Sequence, residues 1–316
     1  MRVAAVVVNY RTAELSCKAV TSLLPELAEL GPHHLYLVDN ASGDDSLERL
    51  AVASGSEGWG ARVTILPAAK NGGYGYGINL AVRAAMQTVD PPEYIYVLNS
   101  DALVLPGSLA RLVSALDARP EAGIAGGRIC SPEGMTYVTA FRFPSVLGEL
   151  EGTARFGLLT SLLRHSAIPM AEPGSDEVVD WISGTSMLIR RRVFEEVGLF
   201  DEGFFLYYEE TDFCHAARRA GWQTLYVSGA PVTHLGSAST GLGDDSRALP
   251  GYWYDSRHRY LRKYRGAAYT ALCDAAWVTG AFIWRGKQRL LGRPTRERPR
   301  LLRDFVTASL RNLLAG

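Results

Sequence analysis

Asp101 is a residue whose type and position could support chemistry. It is the last residue of the segment Leu98-Asn99-Ser100-Asp101. This segment begins at the final residue of the apolar run Tyr94 to Leu98. A carboxylate just beyond a buried strand could bind a hard divalent cation that also contacts a diphosphate. Capping of the following turn is the alternative role. His234 follows another predicted strand and could bind the same cation, or could be an ordinary surface or core histidine.

A second acidic segment, Glu209 to Asp212, follows the aromatic run Phe204 to Tyr208 and precedes a predicted helix. A carboxylate beside an aromatic wall can be partly desolvated and act as a general base. Acidic residues in a first helical turn are also favoured by the helix dipole, so a purely structural role is the alternative.

Two further segments combine polar groups with turn residues. Asp39, in Val38 to Ser42, could accept a hydrogen bond from a nucleobase or could form an Asx-turn or cap the helix beginning at Ser46. The glycine-rich segment Asn71 to Asn79 could bring backbone N–H groups close to a phosphate or ribose, or could be a plain turn. Its spacing matches neither GxGxxG nor the P-loop pattern, so dehydrogenase and P-loop hypotheses lose their main support.

The elements that must position these residues alternate along the chain in an α/β pattern. Continuous apolar runs predict parallel strands, and amphipathic stretches between them predict covering helices. The predicted strands of the first half are Val3–Val8, Leu35–Val38, Val63–Leu66 and Tyr94–Leu98, and its predicted helices are Ala13–Leu30, Ser46–Ala53 and Asn79–Thr88. Ligands of such sheets bind beyond the carboxyl ends of the strands, where Asn9, Asp39, Asn71 and Asp101 lie.

The second half is less regular. Residues 106–116 predict a helix and residues 123–129 a strand, but residues 138–165 show no clear period. Helices are predicted over residues 191–197 and 211–220, near the acidic segment Glu209 to Asp212. A strand is predicted over residues 225–227. From Trp253 onward helical spacing dominates, with Pro294 and Pro299 as breaks. We expect a catalytic domain over 1–250, with halves 1–105 and 106–250, and a basic helical extension over 251–316.

The composition excludes several classes of protein. Lys and Arg balance Asp and Glu at 33 each, which does not favour nucleic acid as a partner. Residues 257–316 nevertheless carry 14 basic and 3 acidic side chains. The four cysteines are widely spaced and indicate a reducing compartment. The N-terminal apolar run predicts a strand and not a signal peptide, and no apolar stretch approaches the about 18 residues of a membrane-spanning helix.

Six motifs taken in order resemble the family-2 inverting glycosyltransferases, and most of all their rhamnosyltransferase-like branch. They cover about residues 3–265 and are Val7–Tyr10, Val38–Ser42, Asn71–Tyr74, Leu98–Asp101, Trp181–Gly184 and Phe204–Asp212. The resemblance implies a GT-A fold: a mainly parallel central sheet flanked by helices, here with a helical C-terminal extension.

The resemblance also implies roles for individual residues. Glu210 would be the catalytic base, and Asp101 with His234 would bind Mg²⁺ or Mn²⁺. The residues implied in nucleotide-sugar binding are Asn9, Asp39, Asn71, Gly72, Gly73, Asn79, Asn99 and Asp101, and those near the sugar and acceptor are Trp181, Ser183 and Gly184. The family usually has Glu-Asp where this chain has Glu209-Glu210, so Glu209 and Asp212 remain alternative bases.

The implied activity is metal-dependent, inverting transfer of a sugar from a nucleotide-diphosphate donor, with dTDP-rhamnose or a UDP-sugar favoured. The acceptor would be a hydroxyl of a glycan, glycolipid or small molecule, as in polysaccharide biosynthesis. A catalytically weak nucleotide-sugar-binding or scaffold protein is the alternative. The expected location is cytoplasmic, with a homodimer left open.

The basic tail predicts a peripheral contact with an anionic membrane at the inner face of the cell membrane. Its apolar candidates are Trp277, Phe282, Trp284 and Leu290, and its basic ones are Arg285, Lys287, Arg289, Arg293, Arg296, Arg298, Arg300 and Arg303. A solvated helical face is the alternative.

Overall fold

The computed structural model describes residues 1–236, 246–295 and 297–314, and the predicted tail residue Arg296 lies outside them. The described chain forms two compact units. The first contains residues 1–140 and 171–205 and continues from Glu209 to the first gap. The second contains residues 141–170, residues 206–208 and the C-terminal part from Ser246 onward. The domain boundaries expected from the sequence remain a prediction.

The first unit is an α/β sheet structure, as the sequence predicts. Its strands are β1 Val3–Asn9, β2 His33–Asp39, β3 Val63–Pro67, β4 Tyr94–Asn99, β5 Ala102–Val104, β6 Ala122–Cys130, β8 Glu177–Val179, β9 Trp181–Ile182, β10 Ser186–Arg190 and β11 Gln223–His234, and β7 Ala140–Phe141 lies at its border. Its helices are α1 Ala13–Glu29, α2 Ser46–Ser56, α3 Tyr74–Met86, α4 Ser108–Asp117, α7 Arg191–Val197 and α8 Glu209–Arg219.

The main sheet has the strand order β3-β2-β1-β4-β10-β6-β11-β5, with β8 also paired to β11. β1 to β4 are parallel, whereas β10 inserts antiparallel between β4 and β6. Asn9 is in register with Asp39, and Val8 with Asn99. The carboxyl ends of β1, β2 and β4 therefore meet at one edge of the sheet, as expected of the parallel half.

Apolar character on both faces explains why the first strands lie inside the sheet. Every residue of β1 is buried, as are the last five of β2. Valine and leucine suit such doubly covered parallel strands, and helices α1 and α4 supply leucines to the same core. The buried interior thus fixes the sheet, while the polar residues at the strand ends stay available for a site.

Helix α3 begins five residues earlier than predicted, at Tyr74 instead of Asn79. Glycine has low helix propensity, which is why the sequence indicated a loop. Close packing overrides that propensity: a Cβ on Gly77 would lie 2.7 Å from Cγ1 of Val8 on β1. The glycines therefore form the first turn of a helix that approaches the sheet closely.

The second unit is helical, with α5 Val146–Ala154, α6 Gly157–Leu163, α9 Gly251–Leu290 and α10 Leu301–Leu314. Helix α9 is interrupted at Gly266, whose φ of 77° is left-handed. Trp277 of α9 stacks on Phe305 of α10, with ring centroids 3.8 Å apart. Arg257 is buried between the carboxylates of Glu149 and Asp274.

The predicted helical tail is confirmed as helical, but its apolar residues differ in exposure. Trp277 is buried and Trp284 half-buried, whereas Phe282 is 61% and Leu290 90% exposed. Of these four predicted side chains, Phe282 and Leu290 are the exposed ones. Among the described residues, no helix is both long and apolar enough to span a membrane.

Candidate active site

The predicted nucleoside-binding residues meet at the ends of β1 and β2. Nδ2 of Asn9 donates to Oδ1 of Asp39 at 2.8 Å, and Oγ of Ser42 donates to the same oxygen at 2.5 Å. Oδ1 of Asn9 in turn accepts a hydrogen bond from Oγ of Ser16 at 2.8 Å. Asn9 therefore holds Asp39 in place. Among the described residues, Oδ2 of Asp39 accepts a hydrogen bond only from the Ser42 N–H, which leaves a lone pair for a ligand.

The glycine-rich loop is fixed by amide hydrogen bonds. Nδ2 of Asn40 donates to Oδ1 of Asn71 at 3.1 Å and to the Gly73 carbonyl at 3.0 Å. Gly73 has a φ of 96°, and a Cβ there would lie 2.1 Å from the Phe205 carbonyl oxygen. At Gly72 a Cβ would meet the Tyr76 ring at 2.5 Å. This loop thus needs glycine in order to dock on the segment that precedes the acidic cluster.

The side chain of Asn79 is hydrogen-bonded to the segment that contains Phe200 and Glu202. Its Nδ2 donates to the Phe200 carbonyl and to Oε1 of Glu202, and its Oδ1 accepts from the Phe200 N–H at 3.0 Å. The side chain is fully buried and its hydrogen bonds are all made within the protein. We therefore leave Asn79 out of the proposed donor site.

Asp101 and His234 are brought together by the antiparallel pairing of β5 and β11. His234 is in register with Ala102, and its Nε2 lies 3.2 Å from Oδ1 of Asp101. Asp101 is 4% exposed. No group of three or more acidic, histidine or cysteine ligands occurs in the described part of the chain. Two protein ligands suit a cation that shares its remaining positions with a diphosphate and water.

Asn99 is the last residue of β4, and it is half-buried. Its backbone N–H donates to the Thr185 carbonyl at 2.9 Å, across the β4–β10 boundary. The side chain is thereby held at the same strand edge as Asp39 and Asp101.

Glu210 lies against Gly184, one of the residues that the resemblance places near the sugar and acceptor. A Cβ on Gly184 would be 3.5 Å from Cβ of Glu210, which is ordinary van der Waals contact. Burial raises the pKa of Glu210 to about 7, against the opposing effect of hydrogen bonds from the backbone of Glu210, Thr211 and Gly184. Its buried Oε2 accepts no hydrogen bond from the described residues. A carboxylate with a pKa near neutrality is suited to general base catalysis.

Glu209 has a different environment from Glu210. Burial, followed by the negative charge of Glu210, raises the pKa of Glu209 well above its usual range. This shift disfavours the ionised, proton-accepting form of Glu209. Asp212 is also buried on the first turn of α8. Of the two adjacent glutamates, the environment favours Glu210 as the base.

The remaining predicted acceptor residues flank Gly184. Trp181 is half-buried on β9, and Oγ of Ser183 lies 3.0 Å from Oγ1 of Thr185. The Ser183 N–H donates to the Thr139 carbonyl at 3.1 Å. These contacts fix the turn whose glycine contacts Glu210.

Tyr74 is a site residue that the sequence did not single out. Its hydroxyl lies 3.5 Å from the Gly184 carbonyl. Burial, followed by the negative charges of Glu209, Asp101 and Glu210, raises its pKa well above the usual value. The phenol is thus a neutral donor within electrostatic reach of both acidic sites. The signal available in the sequence was the place of Tyr74 in the motif Asn71–Tyr74.

Comparison with known proteins gives consistent matches. The profile of the family described as "Glycosyltransferase like family 2" matches residues 1–250. The N-acetylglucosaminyl-diphospho-decaprenol L-rhamnosyltransferase of Mycobacterium tuberculosis is 31% identical over 229 residues, covering 68% of this chain and 70% of that protein. Rhamnosyltransferase WbbL of Escherichia coli is 27% identical, covering 51% of this chain and 60% of that protein.

Solved structures are similar in fold at low sequence identity. The mannosyltransferase PcManGT of Pyrobaculum calidifontis, solved with GDP-Man and Mn²⁺, superimposes with a TM-score of 0.56 at 15% identity. The alignment covers 100% of this chain and 88% of that structure. Residues 1–349 of TarS from S. aureus give a TM-score of 0.51 at 14% identity, covering 100% and 83%.

Proposed function

Because this chain belongs to glycosyltransferase family 2 and has the GT-A fold that its motifs implied, we propose that it is a metal-dependent, inverting glycosyltransferase with Glu210 as its catalytic base. Glycosyl transfer itself follows from the family. The metal, the stereochemistry, the donor and the acceptor are parts of the proposal.

The observation that carries the proposal is the environment of Glu210. One carboxylate oxygen has no hydrogen-bond partner in the described chain, while the backbone around Gly184 holds the side chain in position. Burial raises the pKa of Glu210 to about 7, which makes its carboxylate a stronger base than an ordinary glutamate.

In the proposed reaction, Oε2 of Glu210 accepts the proton of the acceptor hydroxyl. The acceptor oxygen forms a bond to the anomeric carbon as the bond from that carbon to the diphosphate oxygen breaks on the opposite face. The nucleoside diphosphate leaves with the bonding electrons, so the anomeric centre is inverted. Tyr74 would donate its hydroxyl proton in a hydrogen bond to an oxygen of the donor.

Asp101 and His234 would hold the metal ion of this site. A carboxylate oxygen and an imidazole nitrogen 3.2 Å apart can bind one ion, although the carboxylate suits Mg²⁺ or Mn²⁺ better than the imidazole does. When bound, the ion supplies positive charge to the leaving diphosphate. Asp39 would accept a hydrogen bond from the nucleobase through Oδ2, and the Asn71 loop would contact the diphosphate or ribose.

The relatives favour a particular donor and acceptor. Both the mycobacterial relative and WbbL are named rhamnosyltransferases, and the former is named for a decaprenyl-diphosphate-linked acceptor. We propose dTDP-rhamnose as the donor, with a UDP-sugar next, and a lipid-diphosphate-linked glycan as the acceptor. The expected location is the cytoplasmic face of a membrane, contacted through the helical unit.

A panel of nucleotide-sugars tests this function. The full chain is incubated with Mg²⁺ or Mn²⁺, each donor and a short polyprenyl-diphosphate-linked N-acetylglucosamine, and product is detected by mass spectrometry. Transfer from one donor, lost on chelation of the metal, is the expected result. Tight donor binding with neither transfer nor hydrolysis would support a nucleotide-sugar-binding protein and contradict the proposal.

A further inference from the structure

The helical unit contains a cavity of about 490 Å³ that the proposed chemistry does not use. This volume is typical of pockets that bind small organic ligands, which span about 300–1,000 Å³. Three indole rings face it, together with leucines from the ends of α9 and α10. The apolar lining residues are Leu249, Trp253, Trp277, Ala281, Trp284, Leu301 and Leu302.

Basic side chains line the same cavity. Arg285 is paired with Glu297 through two hydrogen bonds of 3.0 and 2.7 Å from Nε and Nη2, so its charge is compensated. Arg155 is exposed and has no carboxylate partner in the described part of the chain. Its guanidinium lies 5.5 Å from the centre of the Trp284 ring.

Lys287 approaches the same indole. Its ammonium lies 5.6 Å from the centre of the Trp284 ring and donates to the Arg155 carbonyl at 2.9 Å. No carboxylate within the described residues pairs with it. Two uncompensated cations therefore converge on one aromatic side chain, where the ring faces stabilise them and an anion could neutralise them.

Trp284 adds a hydrogen-bond donor to this cluster. Its Nε1 is buried and has no partner in the described chain. Apolar surface continues outside the cavity: Lys287 lies 5.6 Å from the ring centre of Phe156, which is 39% exposed, and Leu158 of α6 is 66% exposed. An apolar chain could thus extend from the cavity across α6.

We propose that this cavity binds the isoprenoid diphosphate portion of a lipid-linked substrate, with the chain among the tryptophans and the diphosphate between Arg155 and Lys287. The chemistry requires an amphipathic anion, because an apolar ligand leaves both cations unpaired and a free anion leaves the indole surface unused. The choice of an isoprenoid diphosphate rests on the proposed function, since the acceptor proposed there carries such a lipid.

The site is tested by titrating the full chain with farnesyl diphosphate. Binding is measured by tryptophan fluorescence and by calorimetry. Inorganic diphosphate and farnesol are titrated separately, to distinguish a free anion or a free chain from the lipid phosphate. We expect saturable binding of farnesyl diphosphate, weakened at least about tenfold in Arg155→Glu and in Lys287→Glu, because each reversal replaces a charge-assisted contact with repulsion. Arg155→Lys should restore most of the affinity.

Arg164→Glu is the matched control, because Arg164 is an exposed arginine of the same unit outside the cavity. Its affinity should stay within about twofold of wild type, because Arg164 does not line the cavity. Equal weakening in Arg164→Glu, no saturable binding, or inorganic diphosphate binding as tightly as farnesyl diphosphate would overturn the proposal. Circular dichroism shows whether each variant is folded.

Different experimental results would contradict the lipid site and the proposed function. Nucleoside diphosphate binding to the same variants reports on the sheet unit alone. Farnesyl diphosphate binding without any sugar transfer would retain the lipid site and contradict the enzyme. Sugar transfer to a soluble acceptor, with no farnesyl diphosphate binding, would retain the enzyme and contradict the lipid site.

Discussion

At the residue scale, the surroundings of Glu210 give a physical reason to prefer it among the bases that the sequence suggested. Sequence motifs left Glu209, Glu210 and Asp212 as candidates, because three carboxylates on one helical turn look alike in a sequence. Burial and charge separate the two glutamates: the pKa of Glu209 is raised well above its usual range, while the pKa of Glu210 is raised to about 7. Tyr74 escaped prediction because its relation to both acidic sites arises from long-range packing.

The raised pKa of Glu210 predicts a pH-dependent cost in stability. Its folded-state pKa of about 7 exceeds its unfolded value, so the folded state binds the proton more tightly. The resulting stability is present in full below the unfolded pKa and is lost as pH rises through about 7. Glu210→Gln should therefore raise the Tm relative to wild type more at pH 8 than at pH 5. Thermal unfolding of both proteins at pH 5 and pH 8 measures this difference in Tm. The same difference in Tm at both pH values would contradict the raised pKa of Glu210.

Tyr74→Phe is expected to weaken donor use without unfolding the protein. The ring packing is kept, and only the hydroxyl between the two acidic sites is removed. Loss of a hydrogen bond to a charged donor group should reduce kcat/KM for the nucleotide-sugar by about tenfold or more. Tyr76→Phe, in the same helical turn, is the matched control and should stay near wild type. Unchanged kcat/KM in Tyr74→Phe would remove the hydroxyl from the site.

At the element scale, helices and strands that depend on local sequence patterns are predicted more accurately than those that depend on contacts with distant parts of the chain. Helix α7 and strands β1 to β4 were predicted to within about two residues at each end, because local apolar patterns specify them. Strand β11 was predicted over residues 225–227 but spans Gln223–His234. Residues 138–165 showed no clear period, since α5 is stabilised by contact with α9 more than a hundred residues later. A Cβ on Gly280 would lie 2.0 Å from Oγ1 of Thr153, which shows how closely these helices approach.

Gly73 is predicted to be essential for the start of α3. Gly73→Ala adds a Cβ 2.1 Å from the Phe205 carbonyl oxygen in a left-handed backbone. Gly43→Ala is the matched control, because Gly43 has a φ of 70° with open space around it. The control should cost about 1–2 kcal/mol of backbone strain. Gly73→Ala should lower the Tm further and raise the donor KM, and equal Tm values would contradict the close approach.

At the scale of the whole molecule, charge separates along the chain as the sequence indicated. The basic C-terminal part forms helices whose exposed apolar residues include Phe282 and Leu290. Composition predicted the basic tail, but burial decides which of its apolar residues are accessible, and composition cannot report burial. Trp277 is the example, since it stacks on Phe305 inside the unit.

Membrane association is predicted to depend on those two exposed side chains. Phe282→Ser and Leu290→Ser together should reduce co-sedimentation with vesicles of anionic phospholipid, because less apolar surface enters the bilayer interface. Val52→Ser is the control, because Val52 is 66% exposed on a helix of the sheet unit. Wild-type protein should bind neutral vesicles weakly. Equal sedimentation of the double variant and wild type would favour a solvated helical face.

The kinetics of Glu210→Gln test the central claim most directly. Glutamine preserves the shape of the side chain and removes its ability to accept a proton. We expect the kcat of sugar transfer to fall by about 10²–10⁴-fold, the usual contribution of a general base, while the Kd of the donor stays within about threefold. Transfer by Glu210→Gln at the wild-type rate would contradict the assignment of Glu210 as the catalytic base.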